Sequence, residues 1–408
     1  MAEDDACRAF IGEVMVVHVI GAGLAGLSAA CTLAEAGYEV VVSEAAGQAG
    51  GRARSYFDKQ LGCRIDNGNH MLLSGNHAAW RYLQRIGAQA TLTGPSVPVF
   101  PFVDLKTGAR WTLRLSRGRL PLWMFCPRRR VPGTKLTDYR ALFALRKAGA
   151  NDLVTSMVDQ TSALYKNLLE PLTISALNTM PDHAAAQPLA AVFAETVERG
   201  GAASQPRWAK TGLSESFVDP ALDWLRARGV EIRFGTRITA LDARQPTILA
   251  VPPWIAKELM PELTVPDVYE SICNLHFKAR MPLPGVGFYG LLGGMAEWVF
   301  ARDEVISVTI SAANRYATLS QDQIATQVWG ELAHMFDLPA SIPPYRVLWE
   351  KRATFACTPA QLGKRPGPES PRANVVLAGD WTNTGLPATI EGAIRSGEAA
   401  ANLLKQRA

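Results

Sequence analysis

The spacing of apolar residues changes twice in the opening part of the chain. Residues 16–20 form a short, mainly apolar run, which is typical of a buried strand. A glycine-rich stretch follows at residues 21–26, and apolar residues then recur every three or four positions until Gly37. This helical stripe consists of Leu27, Ala30, Cys31 and Ala34. A second apolar run at residues 39–43 completes a predicted β-α-β unit.

The pattern then leaves this unit and returns to it. Between residues 78 and 212 the chain is predicted to be mainly helical, with Pro-rich and Arg-rich loops between the helices. These predicted helices span residues 77–86, 138–147 and 151–169. A helix and three strands, the last stopped by two prolines, then indicate a return to the first unit. They span residues 222–228, 230–234, 237–241 and 247–251.

A second excursion is rich in aromatic and β-branched residues, which favours sheet. The predicted strands span residues 288–300 and 305–311, and a long helix follows at residues 321–336. A strand at 374–378 and a helix at 389–404 end the pattern. The order predicts an α/β fold in which a Rossmann-like domain is interrupted by an α+β second lobe.

Composition narrows the class of protein. Charged residues make up 19% of the 408 residues, which is typical of a globular chain with extensive apolar surface. Residues 1–14 have no export signal, so we expect them to be a flexible extension of a cytoplasmic protein. The six cysteines show no CxxC pair and no metal-ligand spacing, so we expect free thiols and no metal site.

Charge is distributed unevenly along the chain. The formal net charge of +5 is too small over this length to indicate nucleic-acid binding. Residues 106–135, however, interleave cations with Trp and Leu, a mixture that suits the face of an anionic membrane. We therefore expect peripheral contact with the inner membrane, although a solvated basic face over ordinary core residues explains the same pattern.

The glycine-rich turn carries the first candidate chemistry. Gly21, Gly23 and Gly26 stand between a strand and a helix, where they permit a tight turn, close approach of a pyrophosphate and close packing of helix on strand. Leu24 and Ala25 begin the helix, whose terminal N–H groups attract phosphate. Glu44, at the end of the second strand, is placed to bind ribose hydroxyls. The alternative is a doubly wound domain whose glycine turn binds nothing.

A second glycine segment selects the dinucleotide. Gly50, Gly51 and Arg52 resemble the Gly-Gly-Arg segment of the amine oxidase and carotenoid desaturase flavoprotein superfamily. Near the other end of the chain, Gly379 and Asp380 resemble the second flavin motif of the same superfamily. The helix after it begins with Thr389, Ile390 and Ala393 on or near its first turn. The resemblance implies FAD as the cofactor, with this helix N-terminus directed at the flavin.

Four further segments resemble a narrower group, the squalene-associated FAD-dependent desaturases. They are residues 66–70 (DNGNH), 175–179 (SALNT), 297–300 (EWVF) and 379–389 (GDWT with GLPAT). The resemblance implies reductive dehydroxylation of hydroxysqualene to squalene in bacterial hopanoid synthesis. Two features depart from the group: the chain between residues 238 and 251 is short, and Asn69 stands where Gln is expected.

The same resemblance implies roles for individual residues. Asn67, Gly68 and Ile238 are expected to contact FAD. An allylic hydroxyl leaves as water only after protonation, and His70 is the leading candidate acid, with Asp66 and Glu391 behind it. A hydrogen-bonded structural histidine, a loop-ordering aspartate and a glutamate that complements a helix dipole are the alternatives.

The predicted domains and the open alternatives follow from these assignments. The FAD-binding domain is expected at residues 15–77, 213–271 and 355–408, and the discontinuous substrate-binding domain at 78–212 and 272–354. Phe288, Tyr289, Trp298 and Phe300 are predicted to line an apolar tunnel, or to be ordinary core. An oxidative desaturase or amine oxidase, and a non-catalytic flavin-bearing isoprenoid carrier, remain alternative functions. NAD(P)H is a candidate electron donor.

Overall fold

Two sheets of different construction organise the computed structural model, which describes residues 16–281, 287–302 and 304–407. The expected extension at residues 1–14 lies outside these ranges. The strands are β1 (Val17–Ile20), β2 (Val40–Ser43), β3 (Ser55–Asp58), β4 (Cys63–Asp66), β5 (Leu72–Leu73), β6 (Leu92–Thr93), β7 (Val99–Asp104), β8 (Arg110–Arg114), β9 (Pro206–Ala209), β10 (Glu231–Arg233), β11 (Thr247–Leu249), β12 (Tyr269–Lys278), β13 (Phe288–Leu292), β14 (Trp298–Arg302), β15 (Val305–Ile310), β16 (Tyr345–Phe355) and β17 (Val375–Leu377).

The α-helices alternate with these strands. They are α1 (Leu24–Glu35), α2 (His77–Arg85), α3 (Arg140–Leu145), α4 (Val154–Met157), α5 (Glu170–Leu177), α6 (Ala186–Glu195), α7 (Asp219–Arg226), α8 (Pro253–Leu259), α9 (Gln321–Phe336), α10 (Pro359–Leu362) and α11 (Ile390–Arg407). Short π-helical turns precede α5 and α7. Helices and sheets are therefore mixed along the chain, as the α/β prediction requires.

The first sheet is parallel and has five strands in the order β10-β2-β1-β11-β17. Its strands are short apolar runs, which is the sequence signature of a sheet covered on both faces. One face carries α1 and α11. These helices approach closely, since a Cβ on Gly397 would lie 2.1 Å from the carbonyl oxygen of Ala25. The Ser28 hydroxyl also donates to the Ile394 carbonyl at 2.9 Å.

The second sheet has seven strands in the order β16-β12-β15-β14-β13-β7-β8. All neighbours are antiparallel except β13 and β7. Because side chains alternate along a strand, β12 directs Cys273, Leu275 and Phe277 towards α9 and its even-numbered residues to the opposite face. That opposite face meets the segment between β4 and β5.

Most predicted elements are confirmed, and three need correction. Helix 321–336 coincides with α9, where Ser320 and Gln323 form a reciprocal capping box. The single run 288–300 is two strands, turned at Gly293 with φ of 77°. No strand forms at 237–241, because β10 is the edge of its sheet and Gly235, with φ of 64°, turns the chain away.

The predicted helix 151–169 is the third correction. It is interrupted between α4 and the π-helical turn, because the carboxylate of Asp159 accepts from the Thr161 N–H at 2.9 Å and so stabilises a turn. One predicted domain boundary falls within a packed region. Residues 78–88 pack with α1 and α11 in the core of the first domain, although the boundary was expected at residue 78. The helix α2 is apolar on the side that faces α11.

Candidate functional site

The glycine turn after β1 contains two crowded glycines and one that borders open space. A Cβ on Gly21 would lie 2.4 Å from the Ala250 carbonyl oxygen, and one on Gly26 would lie 1.9 Å from the Gly21 carbonyl oxygen. These two positions admit no side chain, because backbone occupies the space. A Cβ on Gly23 would meet nothing within 4 Å. Gly23 therefore borders open space that a ligand can approach.

The first turn of α1 faces the same open space. Leu24 and Ala25 begin the helix and are buried. The Leu27 N–H donates to the Gly23 carbonyl at 2.9 Å, so the N–H groups of the preceding residues have no partner within the helix. Such groups and the helix dipole favour an anion at this end.

Glu44 lies at the carboxyl end of β2 and closes the turn on one side. Its Oε2 accepts from the Ala22 N–H and its Oε1 accepts from the Ala46 N–H, each at 2.8 Å. The Thr236 N–H donates to the Glu44 carbonyl at 2.8 Å, which holds the segment containing Ile238 beside the same strand end. Ile238 is half-buried against the second core. The structure thus brings both predicted residues to one edge of the sheet.

The Gly-Gly-Arg segment runs alongside the glycine turn. The Gly50 N–H donates to the Ala22 carbonyl at 2.8 Å, and Gly50 forms a parallel bridge with Gly23. Gly50 and Gly51 have φ of 103° and 56°, values that favour glycine. A Cβ on Gly51 would lie 3.5 Å from the Gly23 Cα. The glycine turn at residues 21–26 and the Gly50–Gly51 pair therefore line one narrow space.

Arg52 and Asp380 join the two sequence motifs. The Arg52 Nη2 lies 2.6 Å from the Asp380 Oδ1, and its Nη1 donates to the Ala353 carbonyl. Gly379, with φ of 153°, donates its N–H to the Ser396 hydroxyl at 2.8 Å, which ties the motif to α11. The predicted residues of the two motifs are therefore in direct contact, with more than 300 residues of chain between them.

Arg365 supports the second motif and was missed in the sequence. Its guanidinium is 8% exposed and donates to the carbonyls of Asp380 and Trp381, each at 3.3 Å, and to that of Thr382. The guanidinium also lies 4.8 Å from the centre of the Phe355 ring. Burial lowers the pKa of Arg365. No motif marks this residue, and only its position behind the loop reveals it.

The N-terminus of α11 follows the second motif. Ile390 is its first residue, and the Thr389 hydroxyl accepts from the Gly392 N–H at 3.0 Å. The Ala393 N–H donates to the Thr389 carbonyl at 2.9 Å, which closes the first turn. The three predicted residues Thr389, Ile390 and Ala393 therefore lie together at a helix end that attracts negative charge.

Glu391, a candidate acid, lies at a helix junction. Its Oε1 accepts from the Ala78 N–H at 3.0 Å and its Oε2 from the Ala79 N–H at 2.8 Å, so the side chain caps α2. Arg395 lies 2.9 Å from Oε1. The carboxylate is 2% exposed, and these contacts use both of its oxygens. The arrangement accounts for Glu391 as a structural group that joins α2 to α11.

Asp66, a second candidate acid, has a similarly complete set of partners. Its Oδ1 accepts from the Ser55 hydroxyl at 2.6 Å and from the Leu213 N–H at 2.9 Å. Its Oδ2 lies 2.6 Å from the Arg302 Nη2 at the end of β14. The carboxylate thus fixes the start of the DNGNH segment to both domains, as a loop-ordering group does.

The next residues of this segment touch the second sheet. A Cβ on Gly68 would lie 3.0 Å from the Asn274 Nδ2, and that amide donates to the Asn67 carbonyl at 3.2 Å. The Thr309 hydroxyl donates to the Asn274 Oδ1 at 2.8 Å, and the Asn69 Nδ2 donates to that hydroxyl oxygen at 3.1 Å. Asn274 and Thr309 were missed in the sequence, because strand residues far from a motif carry no local signal.

His70 is the third candidate acid. The residue is partly exposed, and burial lowers its pKa below the ordinary 6.5, against the attraction of the Asp66 carboxylate. A second histidine, His276, lies on β12 with its Nδ1 2.8 Å from the Ser307 hydroxyl. It is fully buried, and burial lowers its pKa to about 4. Both imidazoles are therefore mainly neutral at neutral pH.

One face of the seven-stranded sheet is divided into a polar half and an aromatic half. Strand pairing places the polar half on β12, β15 and β16. Its polar members are Asn274, His276, Ser307, Thr309, Arg346 and Glu350, and the apolar Leu348 lies among them. The aromatic half lies on β14, β13, β7 and β8, with one ring added from β9. Its members are Phe100, Phe102, Trp111, Trp208, Phe288, Trp298 and Phe300.

The aromatic half is closely packed. Phe102 stacks on Trp111 with 4.5 Å between ring centres, and Phe288 stacks on Phe300 at 5.8 Å. The predicted tunnel residue Tyr289 is a correction, because β-strand alternation places it on the opposite face, with α9. The rings form an apolar wall that begins where the polar half ends, between β15 and β14.

The remaining motif segments join the helical part of the second lobe to its sheet. Asn178, with φ of 49°, donates from Nδ2 to the Thr354 hydroxyl at 2.9 Å and accepts from the Ala312 N–H at 2.6 Å. Glu297 accepts from the Ser311 N–H at 2.7 Å and pairs with Arg315. The SALNT and EWVF segments therefore meet at one junction.

These elements together fit a bound dinucleotide. The open side of Gly23, the N-terminus of α1 and the glycine pair surround one space, and the neighbouring Arg52 joins this region to Asp380. The described residues contain no cluster of three His, Cys, Asp or Glu side chains suited to a metal ion. Within the described ranges, no helix is both long and apolar enough to cross a bilayer.

Comparison with known proteins agrees with this geometry. The sequence matches the family described as flavin containing amine oxidoreductase over residues 24–245 and 218–405. It is 45% identical to the hydroxysqualene dehydroxylase of Rhodopseudomonas palustris, over 95% of this chain and 98% of that protein. It is 44% identical to the enzyme of the same name from Zymomonas mobilis, over 95% and 98% of the two chains.

Solved structures support the fold. The cyclohexylamine oxidase of Brevibacterium oxydans superposes with a TM-score of 0.70 at 15% identity, over 96% of this chain and 99% of that one. At this identity the likeness concerns the fold alone. With the sequence matches, it identifies the chain as an FAD-dependent flavoprotein that belongs to the flavin-containing amine oxidoreductase family, within its hydroxysqualene dehydroxylase group.

Proposed function

We propose that this protein reduces hydroxysqualene to squalene. The observation that carries the proposal is its 45% identity, over 95% of the chain, to a hydroxysqualene dehydroxylase. The reaction breaks the C–O bond to the hydroxyl, forms a C–H bond at the allylic system and releases water, so it consumes two electrons and two protons. Bound FAD, once reduced, supplies the hydride.

We assign FAD binding to residues of four regions: the space at Gly23 with its neighbouring strand ends, the DNGNH segment, the second flavin motif and the N-terminus of α11. They are Gly21, Gly23, Leu24, Ala25, Gly26, Glu44, Gly50, Gly51, Arg52, Asn67, Gly68, Ile238, Gly379, Asp380, Thr389, Ile390 and Ala393. The FAD-binding domain then comprises residues 15–88, 213–271 and 355–408. The substrate-binding domain comprises residues 89–212 and 272–354.

The divided sheet face supports a long apolar substrate with one hydroxyl. Trp111 and Trp298, which are partly exposed, offer apolar surface to an isoprenoid chain. The hydroxyl requires hydrogen-bonding groups, and Asn69 and Thr309 lie where the aromatic half ends. A site built to bind a hydroxyl discriminates strongly against an analogue that lacks it, because buried polar groups are then left without partners.

We propose His70 as the proton donor to the leaving hydroxyl. Asp66 and Glu391 have all their carboxylate oxygens in structural contacts, whereas His70 is a partly exposed residue. Since burial lowers the pKa of His70 below 6.5, its protonated form is scarce at pH 7 and a stronger acid than a free imidazolium. Turnover is therefore expected to rise as the pH falls from 7 towards the pKa of His70.

A single-turnover experiment tests the reaction. The purified flavoprotein is reduced without oxygen and mixed with hydroxysqualene, and the flavin spectrum and the products are followed together. We expect flavin reoxidation and squalene formation at equal amounts. Reoxidation without squalene, or no reaction with a fully reduced and flavin-loaded sample, contradicts the proposal. The matched variant His70→Asn should keep its flavin and lose most of the turnover.

The same samples separate the alternatives. A desaturase or an amine oxidase bleaches oxidised flavin when its substrate is added, and a non-catalytic carrier binds isoprenoid without any change in flavin redox state. Addition of NADPH or NADH to the oxidised protein tests whether either nucleotide is the reductant, as we propose. We also propose a cytoplasmic enzyme in peripheral contact with an anionic membrane, from which an apolar substrate is drawn.

A further inference from the structure

Residues 117–147 form a surface on which large apolar side chains are exposed, here called the basic apolar face. Eight large hydrophobic side chains of the described ranges are exposed, and five belong to this face. They are Leu120, Leu122, Phe125, Leu136 and Phe143, with exposed fractions of 69, 61, 66, 47 and 59%. Monomeric proteins normally scatter such residues singly, so their concentration in one segment indicates an interaction surface.

The segment that contains this face, residues 105–150, has a strong excess of positive charge. Residues 105–150 contain twelve Lys and Arg residues and one acidic residue, a net charge of +11, whereas the whole chain carries +5. The remaining residues therefore carry a net charge of −6. Within the part of the chain that the structure describes, Arg146 is the one cation of this segment in an ion pair, with Glu198 at 3.4 Å. The charge is thus directed at a partner outside the chain.

The exposed side chains stand on a well-fixed backbone. Trp123 is 3% exposed and packs edge-on against Tyr139, with 5.4 Å between ring centres. The Val131 N–H donates to the Tyr139 hydroxyl at 3.1 Å. At the start of the face, the carbonyls of Ser116 and Arg117 accept hydrogen bonds from the N–H groups of Gly201 and Ala202, at 2.9 and 3.0 Å. A surface held in this way binds without a large cost for ordering.

The face also continues from the aromatic half of the sheet. Trp111, stacked on Phe102, lies on the edge strand β8, and the chain enters the face three residues after β8 ends at Arg114. The face and the aromatic wall are therefore adjacent, since Trp123 belongs to the same apolar core as Phe102 and Trp111. Two copies of the face carry the same strong positive charge and repel each other, which argues against a symmetric dimer.

We propose that the basic apolar face docks the enzyme on a bilayer of anionic phospholipid. The Leu and Phe side chains enter the interface, and the unpaired arginines contact the lipid phosphates. This inference deepens the proposed function, because it names the surface through which the apolar substrate reaches the site. The inference rests on the proposed function only for the identity of the substrate, and binding to the bilayer is measured separately.

The test is co-flotation of the flavin-loaded protein with vesicles of phosphatidylcholine, with or without about 30% phosphatidylglycerol. We expect binding to the anionic vesicles that weakens as salt is raised. Two triple variants probe the two parts of the face: L120S/L122S/F125S and R128Q/R129Q/R130Q. The controls make the same changes to exposed residues elsewhere: F57S/V268S/I342S and R226Q/R228Q/R244Q.

Loss of three interfacial arginines is expected to weaken binding about a hundredfold, and loss of three apolar side chains about tenfold or more. The control variants should bind within about twofold of the unchanged protein. The proposal is wrong if either face variant binds vesicles as well as its control does. It is also wrong if the unchanged protein is a dimer and the apolar variant is a monomer. Turnover of detergent-dispersed hydroxysqualene should be unchanged in both face variants, so a failure of docking is distinguishable from a failure of the reaction.

Discussion

The two sheets of this protein acquire their chemistry in different ways. In the parallel sheet the backbone does the binding, since Gly21 and Gly26 have no room for a Cβ and Gly23 opens onto the ligand space. In the seven-stranded sheet we propose that the side chains of one face do it, polar on one half and aromatic on the other. A cofactor shared by many enzymes needs a fixed backbone cradle, whereas a particular substrate needs side chains that sequence change can vary freely.

The largest expected effect separates two glycines of the cradle. Gly26→Ala places a Cβ 1.9 Å from a backbone oxygen and should lower the free energy of unfolding by about 4 kcal/mol, with loss of FAD. Gly23→Ala meets no protein atom within 4 Å and should leave the flavin-free stability within about 1 kcal/mol while it also loses FAD. Chemical unfolding and flavin content measure both. Equal destabilisation by the two changes would contradict the distinction between crowded and open glycines.

His276 tests the polar half of the second sheet. Its folded pKa of about 4 lies below the ordinary 6.5, so the unfolded chain binds the extra proton between these pH values. The histidine therefore costs no stability above pH 7, and it should cost about 3 kcal/mol as the pH falls from 6.5 to 4. The measurement is the difference in unfolding free energy between the unchanged protein and His276→Asn across this range. A difference that does not vary with pH would show that His276 is not buried as described.

Arg365 tests how far the cradle depends on a side chain behind it. Arg365→Met removes the donor that three successive carbonyls share and should cost about 2 kcal/mol of stability, together with weaker flavin retention. Arg365→Lys keeps the charge, but an ammonium cannot reach all three carbonyls, and its effect should be intermediate. Flavin retained by Arg365→Met as by the unchanged protein would rule out a supporting role.

The smallest effects concern the two halves of the substrate face. Thr309→Val breaks the contact between Asn69 and Asn274 and should lower kcat about tenfold with little change in KM. Trp298→Ala removes apolar surface and should raise KM about tenfold with little change in kcat. Steady-state kinetics with detergent-dispersed substrate separate the two. Identical kinetic changes would mean that the two halves do not act separately.

The parallel sheet could be predicted from the sequence because its signals are local. The β-α-β unit, the glycine turn and Glu44 lie within about thirty residues of one another, and each glycine has a steric reason that the pattern expresses. The two flavin motifs are short enough to recognise by resemblance. The strand predicted at 237–241 was wrong, because only the three-dimensional sheet shows that β10 is an edge.

The second sheet was predictable only as sheet. Its face is assembled from β7 and β8 early in the chain and β12 to β16 much later, so no window contains the polar or the aromatic half. Asn274, Thr309 and Arg365 were missed for the same reason, because their partners lie in other parts of the chain. For Tyr289 the sequence left tunnel lining and ordinary core open, because a run of aromatic residues does not show which side of a strand each ring occupies, and the structure places it in the core with α9.

The contact between α1 and α11 has a consequence for biosynthesis. The Ser28 hydroxyl bonds to the Ile394 carbonyl, and the two residues are 366 positions apart. At a synthesis rate of about 5–20 residues per second, roughly 20–70 s pass between the synthesis of α1 and that of α11. Until then Ala25 and the rest of that side of α1 lack the surface that Gly397 brings against them. The cofactor cradle is thus complete only after α11 has been synthesised and has packed against α1.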